Sequence, residues 1–202
     1  MNEETRMTPR LKELLLQALE HERGGVLVYK SALECVQNDD LRKEWEEYLE
    51  QTQKHVQVLT DVCESVGLDP AETTPGCRIV RENGKALVAA IKMAQASADA
   101  DAAEIVACES VVLAETKDHA NWELIGACAT EMDDDDAEEL ADAYEEIEEE
   151  EDEHLYHTKG WCRELWRRSL GLEAVLPPPE EQQDVKTAIE AARAEQRAHT
   201  PS

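Results

Sequence analysis

The sequence predicts an all-α fold, and three observations carry that prediction. Four long stretches repeat apolar residues at the i, i+3, i+4 spacing of one helix face. Capping and breaking residues punctuate those stretches where helices should start and stop. The apolar fraction is 42%, Phe is absent, and the core must therefore be built mostly from Ala, Leu and Val, which suits packed helices. The predicted architecture is an antiparallel bundle of four long helices. A helical crossover joins the second to the third, and a short helix lies at the C-terminus.

The first helix is predicted over 8–36. Thr8 with Pro9 gives an N-cap followed by Pro at the first helical position, and Leu15, Leu19, Glu22, Val26, Tyr29 and Leu33 share one face. Asn38-Asp39-Asp40 makes a turn and caps a second helix over 40–66. Its stripe is Leu41, Trp45, Tyr48, Thr52, His55, Leu59, Val62 and Val66, and Gly67 closes it. Pro70, Pro75 and Gly76 mark residues 68–78 as a loop, and a shorter crossover helix follows over 79–97. The third long helix, 100–131, carries Ile105, Cys108, Val112, Glu115, His119, Trp122 and Gly126. Asp133 to Asp136 form an acidic turn that caps the fourth helix, predicted over 136–169. Its stripe is Leu140, Tyr144, Ile147, Glu151, His154, Thr158, Trp161 and Leu165. Gly171 and the stiff Pro177-Pro178-Pro179 run separate this bundle, residues 1–170, from a tail, 171–202. The tail holds a polar, Ala-rich helix over 180–197 that packs outside the bundle or trails into solvent.

The chain has 202 residues, enough for one domain with a real core. Its net charge is −27, from 47 acidic and 20 basic residues. That surface repels nucleic acid and anionic membranes and attracts cations; solubility or a salty milieu would explain the same charge. The start, MNEETRMTPR, has no apolar signal segment, and no apolar run is long enough to span a bilayer. The six cysteines are Cys35, Cys63, Cys77, Cys108, Cys128 and Cys162, with no CxxC pair. They read as free thiols in a reducing cytosol, so a cytoplasmic protein is expected.

Each apolar stripe is interrupted once by residues that ligate metals. Glu22 interrupts the first, Thr52 and His55 the second, Glu115 and His119 the third, and Glu151 and His154 the fourth. Carboxylates and imidazoles in a bundle core are costly unless something satisfies them. Antiparallel helices bring residues equidistant from a turn to one depth: Glu22 lies 15 residues before Gln37 and Thr52 lies 15 after it. Glu115 and His119 lie about as far before the second turn as Glu151 and His154 lie after it. The i, i+3 and i, i+4 spacings bring each Glu and His to one point. The expected metal set is therefore Glu22, His55, Glu115, His119, Glu151 and His154. Such a set suits iron or manganese, one or two ions, and zinc less exclusively. Glu148, Glu149, Asp152 and Glu153 read as a solvated face. His21, His157 and His199 lie off the stripes and read as surface residues.

Glu on helix one, a ligand pair on helix two, Glu on helix three and Glu-x-x-His on helix four resemble the ferritin-like di-metal carboxylate proteins, which include ferritins, rubrerythrins and manganese catalases. The resemblance covers about residues 8–169. It implies that Glu22, His55, Glu115, Glu151 and His154 take the family's ligand positions. The chain departs from the pattern at Thr52, where the family has a second Glu, and it offers His119 in addition. Glu50 and Glu20, the nearest replacement carboxylates, are off the stripes. What the resemblance implies is an oxidoreductase that holds iron or manganese and reacts with O2 or hydrogen peroxide, or a protein that handles iron. A homo-oligomer is compatible with it. The alternative is a non-catalytic bundle with a degenerate site, acting as a structural or partner-binding protein, and Thr52 is its best support. An acidic adaptor for basic partners has only the net charge behind it.

Overall fold

The computed structural model describes residues 8–96, 99–133 and 135–200. The described residues form a helical bundle of seven helices with no strand: α1 (Pro9–Leu33), α2 (Asp39–Ser65), α3 (Pro75–Gln95), α4 (Ala100–Glu131), α5 (Asp135–Ser169), α6 (Pro179–Gln182) and α7 (Ala188–His199). No helix among them is long and apolar enough to cross a membrane. Asp134 of the expected acidic turn and the end of the expected crossover helix lie outside the described residues.

Local chemistry sets the ends. The Thr8 hydroxyl accepts from Leu11 N, with Pro9 at the first position of α1. Asn38 Oδ1 accepts from Asp40 N and Leu41 N at the start of α2. Gly67 takes the left-handed conformation after α2 (φ 78°), and Leu68 N bonds back to Cys63 O at 2.7 Å. That geometry is accessible to Gly at no steric cost. The crossover helix starts four residues before its expected position, at Pro75 rather than 79. Thr74 accepts from Cys77 N, and Pro75, read above as a breaker, sits at N1, where its missing N–H costs nothing. Asp99 caps α4.

The helix expected over 180–197 is two helices. Asp184 adopts a left-handed φ of 52°, and Val185 N bonds to Glu180 O, which ends α6 after one turn. Thr187 then caps α7. The tail lies on α5: Arg163 makes a fork of two bonds to Glu180, at 2.6 and 2.8 Å, and His199 meets Glu164 at 2.8 Å.

Helix α1 packs against α2, α3 and α4, α4 packs against α5, and α2 packs against α5. Two apolar clusters result. One contains Tyr29, Trp45, Ile91, Cys108 and Trp161; the other contains Leu15, Leu19, Leu59, Trp122 and Ile147. Glu22, His55 and His154 sit between them, against Trp122 of one cluster and Tyr29 of the other. Five residues of the expected α4 stripe, Ile105, Cys108, Glu115, Trp122 and Gly126, are buried, but Val112 and His119 are only partly so, and Val111, Ala114, Asp118 and Ile125 are buried beside them.

A buried carboxylate and histidine cluster

Glu22 is fully buried, because Leu15, Leu19 and Tyr29 on the same helix are core residues. Trp122 Nε1 of α4 donates to Glu22 Oε1 at 2.9 Å, while Glu22 Oε2 has no hydrogen-bond partner. His55 Nδ1 lies 2.9 Å from Glu151 Oε1 and 3.5 Å from Glu22 Oε1. His154 Nδ1 lies 3.5 Å from Glu115 Oε2 and 3.8 Å from Glu151 Oε1. The two imidazoles stand nearly parallel, 23° apart, with centroids separated by 5.6 Å. Glu22, His55, Glu115, Glu151 and His154 are thus brought together.

Asp118 joins them. It is buried on α4 one turn beyond Glu115, and its Oδ1 has no hydrogen-bond partner. Two triads of donor atoms, each within 4.8 Å of one another, share Glu151: His55 with Glu151 and His154, and Glu22 with Asp118 and Glu151.

His119 lies apart. Its Nε2 bonds Asp152 Oδ1 at 2.7 Å, its Nδ1 faces Glu123 at 3.8 Å, and it is partly exposed. The chain turns Asp118, not His119, toward the centre. Thr52 is buried, but its hydroxyl donates to Tyr48 O at 2.7 Å within its own helix. Its Cγ2 would lie 3.3 Å from a Cβ at Gly25, so α1 and α2 approach closely there. Glu50 is exposed, and Glu20 pairs with Arg81; neither enters the cluster.

The outer face of each ring is fixed. His55 Nε2 meets Glu150 Oε2 at 2.8 Å, and His154 Nε2 meets Gln51 Oε1 at 2.8 Å. Both partners are acceptors, so both Nε2 atoms carry hydrogen, and in the neutral ring each Nδ1 presents a lone pair inward. Those Nδ1 atoms, with Glu22 Oε2, Glu115 Oε2, Asp118 Oδ1 and both oxygens of Glu151, are buried without an aligned hydrogen bond. Lone pairs thus face lone pairs, and a shared proton, an ordered water or a cation would relieve the repulsion.

The electrostatics agree. Burial pushes the Glu151 carboxyl up, His55 opposes this, and the carboxyl settles at about 7. Burial, then Glu22, Glu151 and Glu115, hold Asp118 well above the ordinary range. Burial pulls His55 down, but the Glu22 charge and the contacts to Glu150 and Glu151 outweigh it, so His55 sits well above its usual value. Burial raises Glu115, but His154 more than offsets it and leaves the carboxyl lowered.

Beside this cluster is a second polar group. The Tyr48 ring lies on the His154 ring at 4.2 Å. Its hydroxyl donates to Glu44 Oε1 at 2.8 Å and is 3.0 Å from His157 Nδ1, and Trp161 Nε1 donates to Glu44 Oε2 at 2.6 Å. His157 is 6% exposed, so it is not a surface residue. His21 bonds Ala114 O at 2.9 Å and is largely covered, and His199 is held by Glu164. A cavity of about 270 Å³, lined by acidic residues including Glu47, Glu153 and Glu181, opens beside His157. Burial and the neighbouring Glu44 push Glu181 up to about 8.

Gln51, Asp118, Glu150 and His157 were missed for one reason: each is next to, or one turn from, a residue on a stripe, and stripe-reading counts only one position per turn. The signal for Asp118 was its i, i+3 spacing from Glu115. Glu150 was hidden in an acidic run. Of that run, Glu149 is solvated, whereas Glu148, Asp152 and Glu153 are only half-buried.

Comparison with known proteins found no match among curated proteins and none among solved structures. Residues 3–159 match the family described as a domain of unknown function, DUF892, and the chain belongs to that family.

Proposed function

We propose that this protein is a ferritin-like metal protein of the cytoplasm: α1, α2, α4 and α5 form the antiparallel four-helix bundle, α3 is the crossover, and the buried cluster holds iron or manganese. The observation that carries this reading is the set of inward-facing donor atoms of Glu22, His55, Glu115, Asp118, Glu151 and His154 that have no hydrogen-bond partner. Oxygen and imidazole donors without thiolate suit those metals. Glu151 belongs to both donor groups, so these residues would hold one or two ions.

The metal would supply redox chemistry with O2 or hydrogen peroxide, making the protein an oxidoreductase or an iron-handling protein. The residues have separate tasks. Glu150 and Gln51 orient the imidazoles and keep hydrogen on the outer nitrogens, the usual support for a metal-ligating His. Trp122 holds Glu22 by its Oε1 and leaves Oε2 free. Glu151 and His55 hold a proton until a cation replaces it. The acidic cavity beside His157 and Tyr48 gives cations an attractive approach, and the apolar clusters above and below exclude water. Asp118 supplies the fourth carboxylate that Thr52 does not.

Metal analysis of protein purified without chelator, together with an absorption spectrum, tests the reading. One to two equivalents of iron or manganese are expected. Almost no metal, and none taken up on addition of Fe(II) or Mn(II), would leave the non-catalytic bundle, the reading that Thr52 favours.

A further inference from the structure

Cys108 of α4 and Cys162 of α5 face each other across the helix pair that also carries Glu115, Asp118, Glu151 and His154. Cys108 is fully buried. Its Sγ lies 3.6 Å from Thr158 O, and Thr158 precedes Cys162 by one helical turn on α5. Cys162 therefore lies one turn beyond the carbonyl that Cys108 touches, and the two thiols are near enough to influence each other. Cys162 packs on the apolar cluster that contains Cys108, but it is only partly buried and borders the exposed Glu109 and Trp166 pair. One thiol is therefore reachable from solvent and the other waits behind it. Cys128, the other partly buried thiol, packs on the cluster that holds the buried Cys63 and Cys77, and among the described residues neither of those makes a hydrogen bond to α5 comparable to that of Cys108 with Thr158.

We propose that Cys108 and Cys162 form a peroxide-sensitive dithiol that closes to a disulfide between α4 and α5. The Cys162 thiolate attacks hydrogen peroxide: an S–O bond forms, the O–O bond breaks, and the departing hydroxide takes a proton to become water. Cys162 is then a sulfenic acid. The Cys108 sulfur, its proton released, attacks the Cys162 sulfur: the S–S bond forms, the S–O bond breaks, and a second water leaves. Two thiols and one peroxide yield one disulfide and two waters. The contact with Cys108 lowers the Cys162 thiol below its ordinary value, which favours Cys162 as the attacking sulfur. Burial raises Cys108 well above its own, which suits the resolving thiol. The closed bond would tie the two helices about two turns from Glu115 and His154.

The test uses the full chain freed of metal by chelator, so its outcome does not depend on the metal reading. The protein is treated with a few equivalents of hydrogen peroxide, quenched in acid, alkylated after denaturation and weighed. Of the six cysteines, two should escape alkylation, and unreduced digestion should yield one cross-linked peptide pair containing Cys108 and Cys162. Cys162→Ser should keep its remaining thiols. Cys108→Ser should accumulate a sulfenic acid at Cys162 that a dimedone probe traps. Six alkylated thiols in the wild type, or a link between any other pair, would overturn the proposal, and the wild-type result needs no variant to fold.

Discussion

Asp118→Asn separates the two states of the buried cluster, because it should act with opposite sign in each. In metal-free protein the Asp118 carboxyl shares a triad with Glu22 and Glu151 whose oxygens lie within 4.8 Å of one another. Two unit charges at that distance repel by about 3 kcal/mol at an effective dielectric of about 20. Asp118 avoids part of this by keeping its proton, which is why burial and the neighbouring carboxylates hold it well above the ordinary range. Asn has nearly the same shape and carries no charge. The variant should therefore stabilise metal-free protein at pH 8 by about 1–3 kcal/mol, or several degrees in Tm for a chain of this size. In the presence of metal the same change removes an anionic donor. Affinity should fall at least about tenfold, the equivalent of about 1.4 kcal/mol. The assay is thermal unfolding of both proteins with chelator and with added Fe(II) or Mn(II), paired with a metal titration. A metal-free Tm below that of the wild type, or unchanged metal affinity, would refute the argument.

Three further predictions follow from the same contacts. His119→Ala should leave metal content unchanged, because His119 bonds Asp152 on the outer face, whereas His154→Ala should lower it sharply; elemental analysis of both variants decides this. Metal-free protein should lose stability as pH rises. The Glu151 folded value of about 7 lies above its ordinary 4.5, so its contribution is full below about pH 4.5 and is lost through pH 7. The difference amounts to about 3 kcal/mol, shared with His55, whose raised value acts in the same direction. Urea unfolding at pH 5 and pH 8 should show the fall, bound metal should suppress it, and Glu151→Gln should flatten it. Gly126→Ala would set a Cβ 2.9 Å from the Tyr144 ring. It should destabilise by about 1–3 kcal/mol, as overpacking does, measured by chemical unfolding.

The apolar period and the capping residues determined that this chain folds as long helices, and roughly where each begins. Thr8-Pro9, Asn38 and Gly67 act through bonds to residues a few positions away, so sequence suffices for them. The interruptions of the stripes were legible on the same grounds, because a Glu or His on an apolar face is visible without knowing its neighbours. Thr74-Pro75 repeats the Thr8-Pro9 pattern and was legible on the same grounds, although Pro70 and Gly76 beside it make the stretch read as a loop. The start of α7 was legible too, because Thr187-Ala188-Ile189-Glu190 has the capping-box pattern, whereas the left-handed turn at Asp184 was not. Rotation about the helix axis was decided only by packing. Asp118 and His119 differ by about 100° of turn, and the sequence alone does not say which of the two meets the core. Packing of α4 against α1 and α5 turned Asp118 inward and left His119 to Asp152. The partners of the imidazoles, Gln51 and Glu150, were likewise set by which helices face each other, since each contact spans about a hundred residues of chain and rests on the tertiary arrangement alone.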